Sequence, residues 1–421
     1  MEMKKYRLGD IAKTGSGGTP KSTVTEYYEG GNIPWINSGE LNNPFISSTP
    51  NFITKKGYDN SSAKLFPPQT VLLAMYGATA GKASLLEFEA CTNQAICAIM
   101  PNKEILSPLY LKYKLDTMYN YLVGLSTGSA RDNLSQDGIK ALELSIPSLS
   151  EQKKIVAVLS ALDDKIALNQ RINRNLEELA RLIYDYWFVQ FDFPDKNGKP
   201  YRFSGGKMVY NDQLKREIPA GWEVVDINKL CQVVDCLHSK KPNYCFEDER
   251  FYLLSLENIT KDGYIDLSDK YYISQKDFEE WTSRICVKEN DFLFTNAGRA
   301  GDMGMVPKGV ECAIGRNITS VRPIAINPWY LRCFFKSLYM REQILGNLDQ
   351  GSFFMSFNVR SIKKLKILIP PPEILDMFLK KTESYLSEIE NNLNEIAKLI
   401  ALRDSLLPLL MNGQVSVENL P

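Results

Sequence analysis

The sequence is short of the side chains on which most catalytic and metal sites depend. It contains a single histidine, His238, in 421 residues, so few groups change charge near neutral pH. None of its eight cysteines forms a C-x-x-C pair, which leaves zinc-ribbon and thiol-redox interpretations without support. A zinc site of His238 with Cys231, Cys236 and Cys245 stays an alternative, although the spacing matches no common pattern.

Excess positive charge and long apolar runs are also missing. Lys+Arg and Asp+Glu both number 50, so a nucleic-acid-binding protein of this composition must segregate its cations onto one face. No apolar run approaches the roughly eighteen residues of a membrane-spanning helix. The opening residues, MEMKKYRLGD, lack the apolar stretch of a secretory signal. We therefore expect a cytoplasmic protein, with two or three domains at about 150 residues per domain.

The glycine-rich stretch YGATAGKAS, residues 76–84, follows the apolar run VLLAM and suggests a phosphate-binding loop. A Walker loop has four residues between its glycines and a Ser or Thr after the lysine. Here three residues separate Gly77 from Gly81, and Lys82 is followed by Ala83. The mismatch argues against an ATP-hydrolysing enzyme and favours a tight turn in which glycine permits positive φ.

The chain repeats itself at an offset close to 220 residues. LSQDGIKALELSIP aligns with FNVRSIKKLKILIP, SPLYL with NPWYL, and STGSARD with DQGSFFM. VLLAMYGATAGK aligns with FLFTNAGRAGD, which places Asp302 where the first copy has Lys82. A lysine that is absent from one copy is weak evidence for a nucleotide site, so the glycines are interpreted as architectural.

Each copy is followed by a segment with the apolar spacing of a coiled coil. In the first helix the seam runs through Ile155, Leu159, Leu162 and Ile166, then Leu176, Ala180, Ile183 and Trp187, with Asn169 and Asn173 between. In the second it runs through Leu386, Ile389, Leu393, Ile396, Ile400, Leu407 and Leu410. The spacing predicts two helices of roughly 35 residues, about 50 Å each. We expect them to pair antiparallel, with the buried asparagines fixing the register.

These patterns predict an α+β fold with a pseudo-two-fold internal repeat. Two β-rich domains are separated by two long helices that pair as an antiparallel coiled coil. The expected boundaries are 1–147 and 221–370 for the domains, 148–188 and 371–411 for the helices, 189–220 for a connector and 412–421 for a tail.

The whole chain resembles the specificity subunit of a type I DNA restriction-modification enzyme. The resemblance is carried by YRLGDIAKTGSGGTPKS and IPAGWEVVDINKL at the entries to the domains and by the glycine turns GATAGK and AGRAGD. It is also carried by the long central stretch EQKKIVAVLSALDDKIALNQRINRNLEELARLIYDYWFVQFDFP. The second helix begins with PPPEILDMF and lacks the Glu-Gln of SEQKKI.

The resemblance implies a non-catalytic subunit that reads double-stranded DNA in a multisubunit complex. Each domain, a target recognition domain in that family, is expected to read one half of a bipartite asymmetric site. The helices are expected to set the gap and to dock two methyltransferase subunits. Two motor-nuclease subunits are expected as further partners. Partner subunits use S-adenosylmethionine, ATP and Mg²⁺, and no cofactor is expected here. Accordingly, the sequence has neither a Walker loop nor the catalytic tetrapeptide of adenine methyltransferases.

Polar and basic residues on the glycine-rich loops are the candidate DNA contacts, because base edges are read by hydrogen bonds and phosphates by cations. In the first repeat they are Thr19, Lys21, Asn37, Glu40, Lys82 and Arg131. In the second they are Lys240, Lys241, Asn258, Arg299, Arg316 and Asn317. Two other functions stay open: a solitary DNA-binding or scaffold protein without an enzyme partner, and an enzyme that uses the glycine loop on nucleotides.

Overall fold

The computed structural model describes residues 2–127, 134–237, 241–267, 270–350 and 355–417. The chain divides into two compact units: a first unit of Met1–Asn169 with Asn394–Pro421, and a second unit of Gln170–Leu393. The first unit is therefore built from two separate stretches of sequence, whereas the second is continuous.

Among the residues that the structure describes, the first unit contains three sheets. Its strands are β1 (Lys4–Arg7), β2 (Ala12–Ser16), β3 (Ile33–Ile36), β4 (Phe45–Ile46), β5 (Phe52–Ile53), β6 (Leu65–Phe66), β7 (Val71–Ala74), β8 (Ala83–Leu86), β9 (Ala90–Thr92), β10 (Ile96–Pro101) and β11 (Glu143–Ile146). Its helices are α1 (Leu8–Ile11), α2 (Lys55–Asp59), α3 (Pro108–Thr117), α4 (Tyr119–Thr127), α5 (Gln136–Lys140) and the start of α6 (Leu149–Tyr184). The strand orders are β2-β10-β7-β8-β4, β5-β3-β9-β6 and β1-β11.

The second unit repeats this arrangement. Its strands are β12 (Met208–Asn211), β13 (Arg216–Pro219), β14 (Glu223–Asp226), β15 (Cys231–Asp235), β16 (Tyr252–Leu254), β17 (Tyr271–Tyr272), β18 (Phe292–Thr295), β19 (Met303–Met305), β20 (Ala313–Ile314), β21 (Ile318–Pro323), β22 (Asp349–Gln350), β23 (Met355–Ser356) and β24 (Lys366–Ile369). Its helices are α7 (Gln275–Trp281), α8 (Pro328–Lys336), α9 (Leu338–Gly346), α10 (Val359–Lys363) and most of α11 (Pro372–Met411). The orders β15-β21-β18-β19, β17-β16-β20 and β14-β24 follow those of the first unit without its outer strands β4 and β6. At the places of these two strands the second unit has the isolated bridges Tyr264–Met305 and Val287–Cys312.

The register of the strands confirms the internal repeat. In the first unit β3 runs parallel to β9, with Trp35 opposite Cys91, and in the second β16 runs parallel to β20, with Leu253 opposite Ala313. The strands before the glycine loops, VLLA and FLFT, are buried on both faces. That is why both read as continuous apolar runs rather than alternating ones. The predicted α+β fold with two repeats and two long helices is confirmed.

The two long helices run antiparallel within each unit. In the first unit Asp163 of α6 accepts a hydrogen bond from Arg403 of α11 at 2.9 Å, and Asn169 donates to Glu395 at 2.6 Å. In the second unit Asn392 donates to Asn173 at 2.9 Å. Residue numbers rise on one helix as they fall on the other, as expected. The seam asparagines are buried, which fits the register role predicted for them.

The segment after α6 packs closely instead of forming an open linker. Asp185–Val189 form a single π-helical turn at the end of α6. Phe191 and Phe193 are buried, and their rings lie 5.7 and 5.1 Å from that of Trp222. Burying these aromatic side chains ties the connector to the second unit.

Candidate nucleic-acid interface

The glycine loop of the first unit is a turn that rests on a neighbouring 3₁₀ turn. Gly77 and Gly81 have φ values of +88° and +81°, a conformation that favours glycine. Thr79 Oγ1 donates to the carbonyl of Ser38 at 2.9 Å. Lys82 Nζ donates to Asn42 Oδ1 at 2.6 Å. The loop is thus held against residues 38–42.

The second unit uses different side chains to make the same contact. Gly298 and Gly301 have φ values of +78° and +89°. Arg299 Nη2 donates to the carbonyls of Leu256 and Ile259 at 2.6 and 2.7 Å, and these residues belong to or flank the matching 3₁₀ turn. Part of the Arg299 guanidinium is therefore occupied by the fold, and the DNA contact of Arg299 stays a prediction for its remaining donors.

The two 3₁₀ turns are capped in the same way. Glu40 Oε1 accepts from the backbone N–H of Asn37 at 2.8 Å. Asn258 Oδ1 accepts from the backbone N–H of Ser255 at 2.8 Å, and its Nδ2 donates to the carbonyl of Asp266 at 2.9 Å. Asn258 is only 5% exposed. This geometry favours a structural role for Glu40 and Asn258, because their polar atoms satisfy the turns.

A third loop in the first unit carries residues that the sequence did not single out. Between β9 and β10, Asn93 donates to Asn37 Oδ1 at 3.0 Å, and the exposed Gln94 accepts from Thr19 Oγ1 at 2.5 Å. Gln94 was missed, although aligning ACTNQAI with CAIGRNI puts it at the position of Arg316.

The matching loop between β20 and β21 presents two of the predicted residues. Arg316 and Asn317 are both exposed. Asn317 has a φ of +61°, which asparagine tolerates better than most residues, and its carbonyl accepts from the N–H of Asn296 at 2.7 Å. Asn296 Nδ2 in turn lies 3.3 Å from Asp235 Oδ1. The glycine loop with Gly298 and Gly301, the 3₁₀ turn Leu256–Asn258 and the C-terminal end of β15 therefore meet at one edge of the second unit.

The structure brings most of the predicted residues together, one group in each unit. The first group is Thr19, Asn37, Glu40 and Lys82, and the second is Asn258, Arg299, Arg316 and Asn317. We call these groups the first and second polar edges. Lys21 is exposed on the loop that follows Thr19. Lys241 lies 3.7 Å from the ring centroid of Tyr271. Arg131 and Lys240 lie outside the described residues.

The charges at the second edge are partly balanced. A hydrogen bond from the Ser255 hydroxyl lowers the pKa of Glu257, with smaller contributions from its own backbone N–H, Arg299 and Lys241. The edge therefore keeps a carboxylate beside its cations at neutral pH. Amide, hydroxyl, guanidinium and carboxylate groups together offer the donors and acceptors that base edges require.

The described residues also bear on metals and membranes. In the parts of the chain that the structure describes, no three or more His, Cys, Asp or Glu side chains are grouped so that they could hold a metal ion. Within the same residues, no helix is long and apolar enough to cross a membrane.

The fold and the two edges define a duplicated α+β protein that presents two equivalent polar surfaces, each joined to a pair of long helices. The chain belongs to the type I restriction-modification DNA specificity family, whose domain model matches residues 1–178 and 219–401.

Named relatives and a solved structure agree with this assignment. The chain is 28% identical over 421 residues to the type I restriction enzyme MjaIX specificity subunit of Methanocaldococcus jannaschii, covering 98% of this chain and 94% of the relative. It is 22% identical over 472 residues to the HindI specificity subunit of Haemophilus influenzae, covering 98% and 100%. The crystal structure of a type I restriction-modification S subunit from M. genitalium has the same fold, with a TM-score of 0.50 and 13% identity over 97% of this chain and 96% of that one.

Proposed function

We propose that this chain is the non-catalytic DNA-reading subunit of a type I restriction-modification complex, in which each repeat reads one half of a bipartite asymmetric site. The observation that carries the proposal is that both units have the same backbone arrangement at the polar edge but place different side chains on it. Where the first edge has Gln94 and Lys82, the second has Arg316 and Asp302.

The different side chains imply different half-sites. A glutamine amide suits the N6 and N7 atoms of adenine, whereas an arginine suits O6 and N7 of guanine. An acid in place of Lys82 repels a phosphate that the lysine would attract. Two similar backbones with unlike side chains therefore suit a target whose halves differ in sequence.

The long helices are proposed to set the gap between half-sites and to dock two methyltransferase subunits. Exposed apolar side chains at the end of α6 and in the π-helical turn after it support a docking role. Leu179, Leu182 and Tyr186 are 47%, 50% and 40% exposed. They line a cavity of about 510 Å³ with Trp187 and Pro194. A monomer rarely leaves such a contiguous apolar surface in water unless it binds a partner.

The chemistry is assigned to the partners. Methyltransferase subunits would use S-adenosylmethionine, and motor-nuclease subunits would use ATP and Mg²⁺. With a net charge of zero, this chain neutralises few phosphates without help. Tight binding of DNA is therefore expected in the complex rather than by the isolated chain.

Mapping methylated adenines tests the proposal. The chain is co-expressed with its methyltransferase, the complex is purified, and the modified sites on a genome are sequenced. Replacing residues 1–147 by those of another family member should change one half-site and leave the other intact. Simultaneous change of both half-sites would contradict the assignment of one half-site to each repeat.

The alternative is a solitary DNA-binding or scaffold protein. An untagged methyltransferase that copurifies with this chain in a stable complex would exclude it. A chain that binds its DNA target tightly alone and retains no methyltransferase would support it.

A further inference from the structure

A groove in the second unit carries an unbalanced positive charge. It has a volume of about 790 Å³ and is bounded by α9, α10 and the start of β24. Its cationic side chains are Arg360, Lys363, Lys364 and Lys366. Lys366 is paired with Asp226. The other three are exposed, and none is paired with a carboxylate among the residues that the structure describes.

Two of the neutral polar side chains of the groove, Gln343 and Asn347, are already used by the fold. The Gln343 side chain donates to the carbonyl of Lys366 at 2.8 Å and accepts from its N–H at 2.7 Å. Asn347 donates to the carbonyl of Gln343 at 2.8 Å. The groove therefore offers a ligand three cations and the exposed amides of Gln213 and Asn228, beside the half-buried Tyr339 and Leu214.

The first unit has the matching cavity with the opposite charge. A cavity of about 870 Å³ lies between α4, α5 and the start of β11. At the positions aligned with Arg360, Lys364 and Lys366, the lining of this cavity has Asp137, Ala141 and Glu143. Lys363 aligns with Lys140, which pairs with Asp137 at 3.0 Å, so of the three exposed cations Arg360 and Lys364 are peculiar to the second unit and are not required by the shared fold.

The groove lies at the far end of a strand from the second polar edge. The N–H of Ile227, just before β15, donates to the carbonyl of Leu365 at 2.9 Å. The polar edge gathers at the other end of the same strand, where Asp235 receives the Asn296 amide. Along β15 the two ends are about 13 Å apart, at roughly 3.3 Å per residue.

We propose that this groove binds an acidic segment of a partner protein, whose carboxylates pair with Arg360, Lys363 and Lys364. Charge complementarity selects an anion, and arginine pairs with carboxylates in a two-point geometry. The concave shape favours a peptide over a duplex, because a space of about 790 Å³ admits a short extended segment, whereas a duplex can only lie across its mouth. The acidic cavity of the first unit excludes the same segment, so one segment binds per chain.

The test uses the full chain and a fluorescently labelled peptide of alternating glutamate and serine at low ionic strength. Fluorescence anisotropy should show saturation at one peptide per chain. The variant R360D/K364A imports the residues of the first unit at the aligned positions. Asp137 lies in the equivalent helix of the first unit and Ala141 is its C-cap, so the variant is expected to fold, and circular dichroism checks this.

The variant should lose at least about tenfold in affinity, because charge-assisted pairs are removed. The control K276D/K308A makes the same change in charge on exposed lysines elsewhere in the second unit, and should stay within about twofold of the original chain. Absence of peptide binding, equal binding by R360D/K364A, or an equal loss in the control would overturn the proposal. A scrambled duplex that displaces the peptide and depends on the same residues would instead make the groove a phosphate site.

Discussion

The two repeats are fastened to the long helices by different chemistry, although their backbones match. In the first unit, Tyr113 of α3 donates to Asp163 of α6 at 2.5 Å, and Lys114 donates to the carbonyl of Met411 at the end of α11 at 3.0 Å. In the second unit, Glu177 of α6 forms buried ion pairs with Arg332 and Lys336 of α8.

The difference comes from one aligned position, which is Asp116 in α3 and Lys336 in α8. Lys112 and Asp116 of α3 form an ion pair at 2.8 Å, one helical turn apart. The aligned residues of α8 are both cations, Arg332 and Lys336. A buried cation needs a carboxylate. The first unit supplies it within the same helix, and the second must take it from α6. The comparison shows that a duplicated fold preserves backbone positions while the partners of its buried charges are reassigned.

The largest effect is expected from removing the carboxylate of the second unit. Glu177→Gln leaves Arg332 and Lys336 as buried cations without a counter-charge, which should cost about 3–5 kcal/mol in the free energy of unfolding. Urea unfolding followed by tryptophan fluorescence measures it. The neighbouring exposed Glu178 is the matched control: Glu178→Gln should cost less than about 1 kcal/mol. Equal costs would show that the buried triad does not fasten the second unit.

The next effect is a rescue that copies the first unit. In E177Q/K336D, Arg332 gains a carboxylate one turn away, as Lys112 has in α3. The double variant should recover about 2 kcal/mol or more of the loss, because the buried charges again balance. If it were no more stable than E177Q, local pairing would not explain the difference between the units.

A pH dependence is expected from Lys336 of the second unit. Burial, with repulsion from Arg332, lowers the pKa of Lys336 to about 8. A lysine in the unfolded chain titrates near pH 10.4, so between about pH 8 and 10 the unfolded state holds more protons than the folded state. The contribution of Lys336 to stability therefore rises with pH across that window, by about 1–2 kcal/mol. The free energy of unfolding is measured against pH for the original chain and for K336M. The difference between the two should increase from pH 8 to pH 10, and a constant difference would contradict the lowered pKa of Lys336.

The smallest effect is expected at the fastening of the first unit. Tyr113→Phe removes the hydrogen bond to Asp163, which keeps its other partner, Arg403. The cost should be about 1 kcal/mol, seen as faster hydrogen–deuterium exchange in α3. Tyr121→Phe on α4 is the control, because that side chain is 58% exposed. Faster exchange in both variants would point to a general loosening rather than to this bond.

The elements that follow local periodicity were predictable from the sequence. The heptad spacing located both long helices, and α6 and α11 begin at Leu149 and Pro372. Alignment of the two copies also paired the glycine loops, and the backbone bonds of Thr295 to Asp302 and of Ala74 to Lys82 agree. Both signals lie within short windows of sequence, where spacing alone carries the information.

The partnerships across the fold were not predictable in this way. Glu177 looks like any solvated glutamate on a helix, and only the packing of α8 against α6 makes it a buried counter-ion. Gln343 holds both polar backbone groups of Lys366, a bond between residues with no common motif. The candidate DNA contacts could be located on loops, but which of their atoms the fold already occupies, as in Asn258, depends on the tertiary structure.

The divided sequence of the first unit has a consequence for synthesis on the ribosome. Its core includes Leu410 and Met411, both with no exposed surface, beside Ile155 and Leu159. The second unit needs only residues 170–393. Its sequence is therefore synthesised before the part of α11 after residue 393, which completes the first unit. Domains fold as units during translation. The N-terminal repeat is therefore expected to be the last to mature. A chain that ends after residue 393 and has left the ribosome should contain a protease-resistant second unit and a protease-sensitive first one.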